Sequence, residues 1–296
     1  MQRSRVLVLV AALAVLGWWV IGYLPWLVSG LHFTADAGQM GSSGEGTAGV
    51  AMPLPLVAHA LPELVACGIV GGVVAGLLPI AVTHVPRPLV ILVVWAATLV
   101  SAAVALAISA KRVRDTAPGL FASDSRVVAG LGAAFLAALV LGLIAGSLSV
   151  HWHAVTAVAA AVVGGSLPTW VAACVPPGRL NPDTVSHISA VLLVVVLGAG
   201  LAVSVHRSVR AVLVWPIALA VLWLTGPALT AVSYLTALLR PSSGLPDSLG
   251  EHLSAAGQVF GQAIGHTHPS LIAVVLAFLA GVASLVRHHR GSLRAE

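Results

Sequence analysis

The sequence predicts an all-α, polytopic bundle of about eight transmembrane helices with an amphipathic helix on its outer surface. Three observations predict it. Of 296 residues, 59% are hydrophobic and only 8% charged, against about 25% charged in an ordinary soluble domain. Mean hydropathy is +1.04, so the polar surface needed to cover a soluble core is missing. The apolar residues also form continuous runs of helical length and do not alternate with period two, which sets aside a membrane β-barrel. A soluble enzyme, a disordered regulator and a nucleic-acid-binding domain are excluded on this basis. Two cysteines are too few for a disulfide scaffold.

A helix needs about 20 apolar residues to cross a hydrocarbon core about 30 Å thick. Eight stretches qualify: Val6–Val28, Leu64–Val82, Leu89–Ala110, Val127–Val150, Ala154–Val175, Ile188–Val205, Ala211–Leu235 and Leu271–Val286. None contains Asp, Glu, Lys or Arg.

The first run follows Arg3 and Arg5, and Ala35-Asp36-Ala37 has the form of a signal cleavage site. At 23 residues the run exceeds the 7–15 typical of a signal core, so a retained anchor is expected. Trp18, Trp19, Tyr23 and Trp26 at its far end read as an interfacial aromatic belt. Residues 30–58, with Gly41-Ser42-Ser43-Gly44-Glu45-Gly46, have the composition of a flexible outer linker.

The second and fourth runs carry small residues four apart: Gly68, Gly72 and Gly76, then Gly130, Ala134, Ala138, Gly142 and Gly146. In lipid no hydrophobic drive separates one helix from another, so close backbone approach over small side chains supplies the packing. These helices are expected at the centre of the bundle, or at an interface with a second copy or another membrane protein. A rival reading makes the Gly-rich segment 64–82 re-entrant and inverts everything after it.

The segment 111–126 is dense in charge, and Lys111, Arg112, Arg114 and Arg126 are candidates for anionic lipid headgroups. A solvated hinge between two helices is the alternative. His59, Glu63 and Cys67 fall at i, i+4 and i+8 at the outer end of the second run, with Cys174 and His187 expected at the same interface. Imidazole, thiolate and carboxylate together suit zinc or copper, but the spacing matches no metal motif. A capping Glu, an interfacial His and two core cysteines are the favoured reading of the same residues. A Cys67–Cys174 disulfide would require Cα atoms within about 7 Å. The 12 histidines all fall in loops or at span edges, where axial haem ligation is not expected, and no cofactor is predicted.

The seventh run is the candidate pathway. Pro216 and Thr225-Gly226-Pro227 should kink or break it, and Thr230, Ser233 and Tyr234 continue with polar groups. Discontinuous helices of this kind line binding sites in transporters, although proline kinks also occur without transport. In residues 240–270, Ser248-Leu249-Gly250-Glu251 matches a capping box. Leu249, Leu253, Ala256, Phe260 and Ile264 then share one helical face and Gly265 is a C-terminal cap. A surface helix over 248–264 follows.

With the N-terminus inside, eight basic residues lie inside and six outside, and eight of the nine acids lie outside. Both termini are therefore expected in the cytoplasm, and Arg over Lys in an Ala/Gly/Val-rich chain suggests a bacterial inner membrane. Ala81–His84 before Trp95 resembles Ala202–His206 before Trp215, and Ala145-Gly146 resembles Ala280-Gly281. This hints at a four-plus-four repeat, which chance explains equally well in such a composition. No acid or base lies within a span, and no P-loop, H-E-x-x-H or G-x-S-x-G motif is present at membrane depth. A non-enzymatic, permease-like or transport-associated protein is the leading expectation. A structural or assembly protein of the envelope is the alternative, and a metal- or haem-handling protein the third.

Overall fold

The computed structural model describes residues 2–25, 32–33, 50–51, 53–56, 60–82, 84–116, 125–174, 181–205, 209–238, 249–266 and 269–293. Helix α1 is Gln2–Gly17 and winds on through a π-helical turn, Trp18–Gly22. Helix α2 is Leu61–Leu77, extended by the 3-10 turn Leu78–Ala81. Helices α3 (Arg87–Thr116), α4 (Ser125–His151), α5 (His153–Ala173) and α6 (Pro182–Val205) follow. The 3-10 turn Val209–Val214 leads into α7, Trp215–Leu238. Helices α8 (Leu249–Ala263) and α9 (Leu271–Leu293) complete the described chain. Within the expected linker, His32–Phe33 (β1) pairs antiparallel with Val50–Ala51 (β2). Seven helices are long and apolar enough to cross a membrane, and the apolar part of α9, Leu271–Arg287, is shorter.

The close contacts fix the direction of each helix. Gly17 faces Val74 while Gly22 faces Cys67, so α1 and α2 are antiparallel. Gly68 meets Ala138, Gly72 meets Gly142 and Gly76 meets Gly146, so α2 and α4 are parallel. Trp95 reaches Ser147 while Leu106 lies by Gly132, which makes α3 antiparallel to α4. Gly164 meets Leu193 and Gly200 meets Ala160, so α5 opposes α6. In α7, Leu222 and Thr225 face Gly164 and Gly165 in the same order, while Gly198 and Leu201 of α6 face Ala277 and Gly281 of α9. The helices α1 to α7 therefore alternate up and down, and α9 runs parallel to α6. Segment 64–82 is a full helix traversing the bundle, not a re-entrant hairpin.

Two apolar cores result. The first joins α1 to α4 and the short segment at Leu54–Leu56, around Trp18, Tyr23, Phe135 and Leu139. The second joins α5, α6, α7 and α9 around Leu193, Leu197, Leu201, Trp215 and Leu222, and takes in Val70 and Val73 of α2. Helix α2 thus belongs to both. The same pairing recurs in each half: first helix with third, first with second, and second in parallel with fourth. The indole Nε1 of Trp95 donates to Ser147 Oγ at 2.9 Å, next to Gly146, and Trp215 rests against Gly281. These are the positions of the Trp and Ala-Gly resemblances in the sequence.

Several expectations are corrected. Trp18 and Tyr23 do not form an interfacial belt, because both are fully buried. Trp18 packs edge-on against Tyr23 and onto Phe135, and Trp19 stacks on Tyr23 at 4.7 Å. The π-turn widens α1 where these rings must fit against Gly71, whose Cβ would lie 2.7 Å from Trp18. Helix α7 is continuous through Pro227, and Pro216 sits in its first turn, where a missing N–H costs nothing. Residues 111–116 extend α3 as helix.

The expected surface helix exists as α8 and packs on α7. Its buried positions are Ala256 and Ala263, while Leu253 is 59% exposed. Gly265 follows in a turn without left-handed backbone. Ser248, half of the capping box, lies outside the described residues.

Candidate functional site

The alternation of the helices brings five ends together: the start of α2, the end of α5, the start of α6, the second half of α7 and the start of α9. Between them opens a cavity of about 620 Å³. Its floor is set by two adjacent glycines. A Cβ on Gly164 would lie 2.6 Å from Leu193, and one on Gly165 2.5 Å from Thr225, so α5 draws both α6 and α7 in at this level. One turn further on, Pro168 lines the cavity within α5. It has no N–H to give the Gly164 carbonyl, which loses its helical donor at the cavity wall.

The α7 wall is formed by Gly226, Thr230 and Ser233, three of the residues expected on a pathway. Thr225 lies behind them against Gly165. Pro227 is buried, and Tyr234, partly exposed, is not on the wall described. The α6 wall brings Ser186 and Ser189, and the rim adds Ser270 before α9. Glu63 projects from the first turn of α2, where the positive end of the helix dipole favours it. Its Oε2 is buried without a hydrogen-bond partner among the described residues.

The proposed metal ligands do not converge among the described residues. No three His, Cys, Asp or Glu side chains there come together. Neither cysteine forms a disulfide, Cys67 lies inside the first core, and the exposed His187 ring bonds the carbonyl of Asp183, one turn back. Burial pushes the Cys174 thiol up to about 11, which withholds the thiolate that a metal or an electrophile would need. His59 lies outside the described residues. Chain comparison is equally plain. No family model, curated protein or solved structure matches this chain.

The small-residue ridges divide. Gly68, Gly72 and Gly76 meet Ala138, Gly142 and Gly146 backbone to backbone, forming the tightest helix contact in the bundle. Ala134 is partly buried on the same core, but Gly130 has nothing within 4 Å of where a Cβ would stand. The seam is internal to the chain.

The basic candidates Lys111 and Arg114 are exposed on the last turns of α3, where Arg114 Nε donates to the Ala110 carbonyl at 3.2 Å. Arg114 also borders an apolar cleft of about 510 Å³ between α3 and α4. Arg112 shares that last part of α3 and is likewise exposed, whereas the Arg126 side chain lies outside the described residues.

Gly164, Gly165, Pro168, Ser186 and Ser189 escaped the sequence reading. The signal was present in Gly164-Gly165-Ser166-Leu167-Pro168-Thr169, the same kind of glycine–proline interruption that drew attention to Thr225-Gly226-Pro227.

Proposed function

We propose that the protein is a permease-like or transport-associated component of a bacterial inner membrane, crossing it eight times with both termini in the cytoplasm. One observation carries this reading: the cavity, mostly apolar but set with Glu63 and several hydroxyls, that opens between α2, α5, α6 and α7 at the end of the bundle taken as outer. Ligand sites in helical membrane proteins are concave, mostly apolar and set with a few polar groups, and here Pro168 and Gly226, each within an unbroken helix, line the wall beside Ser189, Thr230 and Glu63. The eighth crossing is supported by α9 lying parallel to α6 along the second core. Lys111 and Arg114 extend beyond the apolar part of α3 toward anionic headgroups.

The test is access from both sides. With Cys67→Ala and Cys174→Ser as background, Thr230→Cys is treated with a membrane-impermeant thiol reagent in vesicles of each orientation. A transporter exposes the position alternately and is modified from either face. Modification from one face only would overturn the transport reading and favour an assembly role.

A further inference from the structure

Three of the lining hydroxyls turn their protons back to their own helix, and the one charged side chain among the described lining residues is a carboxylate, Glu63. Ser189 Oγ donates to the Val185 carbonyl at 2.7 Å, Thr230 Oγ1 to Gly226 at 3.1 Å and Ser233 Oγ to Thr230 at 2.7 Å. A hydroxyl has one proton and two lone pairs, so at Ser189 and Thr230 a proton committed to the helix leaves lone pairs for the cavity. The Gly164 carbonyl, deprived of its donor by Pro168, adds another acceptor. Glu63 adds a charged one, and its buried Oε2 has no hydrogen-bond partner among the described residues.

The helix starts at the rim do not reverse this polarity. Asn181 Oδ1 accepts from the Asp183 amide at 3.0 Å, and Ser270 Oγ from the Ala273 amide at 3.4 Å. Prolines 62, 182 and 269 carry no N–H at the three helix starts. No Lys, Arg or His is among the described lining residues. An anion would meet the Glu63 carboxylate with no cation beside it among the described lining residues, whereas an ammonium group brings the complementary charge and donors for the lone pairs of Ser189 and Thr230.

We infer that the cavity recognises its solute as an organic ammonium, held by Glu63 and the lone pairs of Ser189 and Thr230, with its apolar part against Leu193, Leu222 and Leu229. This rests on the reading of the cavity as a solute site, but not on the solute being carried across.

Three probes of one shape test it: benzylammonium, benzyl alcohol and benzoate. Each is titrated against the rate of thiol modification of Ala190→Cys, a lining position that makes none of the proposed polar contacts, in the Cys67→Ala, Cys174→Ser background, in detergent at pH 7. Benzylammonium should protect at a concentration at least tenfold below that needed for benzyl alcohol, and benzoate should not protect. Adding Glu63→Gln should bring the first two within about twofold of each other, since it removes the charge and leaves the neutral acceptors. Equal protection by all three probes, stronger protection by benzoate, protection by none, or an unchanged preference in Glu63→Gln would each overturn the inference. A folded state shared by the variants is checked by their circular dichroism and elution volume. Failure of this experiment leaves two-sided access at Thr230 untouched, and one-sided access leaves the ammonium preference standing.

Discussion

Replacing Gly142 with Ala adds one methyl group to the glycine seam between α2 and α4, where the two backbones touch. That Cβ would lie 2.5 Å from the Ile69 carbonyl oxygen and 3.0 Å from Gly72 Cα. Carbon–oxygen contacts between helices settle at about 3.3 Å or more, so α2 and α4 must part by about 0.8 Å. The next turn cannot absorb the movement, because a Cβ on Gly146 would sit equally close to the Val73 carbonyl. Overpacking of this kind costs about 1–3 kcal/mol, offset by about 1 kcal/mol of helix propensity gained over Gly.

Gly130→Ala in the same helix earns the propensity without the clash, since nothing lies within 4 Å of its Cβ. The two variants should differ by the packing term alone, about 1–3 kcal/mol, with Gly130→Ala the more stable. The double variant Gly142→Ala/Gly146→Ala should cost less than the sum, because helices already parted admit the second methyl. Reversible unfolding in mixed micelles, followed by circular dichroism, measures all three. Equal stability of Gly142→Ala and Gly130→Ala would refute the assignment of this seam as the tight one.

Ser204→Ala leaves the buried Trp215 Nε1–H without its acceptor at 3.0 Å and should cost about 1–3 kcal/mol. Trp215→Phe in the same chain should recover part of the loss, read by the same unfolding assay. Cys174, with its thiol at about 11 against an ordinary 9.0, should carry about 100-fold less thiolate at pH 8; higher intrinsic nucleophilicity returns about tenfold. Alkylation should therefore run about tenfold slower than for an exposed cysteine and keep accelerating up to pH 11, as mass spectrometry at graded pH will show. Glu63→Gln relieves the burial of Oε2 but gives up the favourable first-turn position of the charge, so the unfolding midpoint should move little while ammonium binding weakens; a large fall in the midpoint would contradict this. Lys111→Gln with Arg114→Gln should lower retention of anionic over zwitterionic phospholipid at least threefold in native mass spectrometry, and unchanged retention would remove these residues as headgroup contacts.

What the sequence made legible followed from terms that act locally or by composition. Run length and the absence of charge specify helices long enough for a membrane, and spacing by four specifies which small residues share a helical face. Spacing does not say how far a contact extends. Gly130 and Gly142 belong to one ridge by number, yet α2 ends its contact with α4 near Ala138, and Gly130 lies beyond it in the open. The aromatic residues at the end of α1 failed for a related reason. An interfacial belt and a packed cluster have the same composition, and only the glycines opposite, Gly71 above all, decide between them by making room for Trp18.

The cavity shows the same division. Thr230 and Ser233 were visible as polar residues in an apolar run, but Ser189 and Glu63 face them only because α6 opposes α5 and α2 starts at the same end of the bundle. Their chemical character was less visible still, because a serine in a sequence is donor and acceptor alike. Helix geometry turns the Ser189 proton back to the preceding turn, and the same local bond at Thr230 on the facing wall decides that these two hydroxyls offer lone pairs beside Glu63, which no count of residues contains.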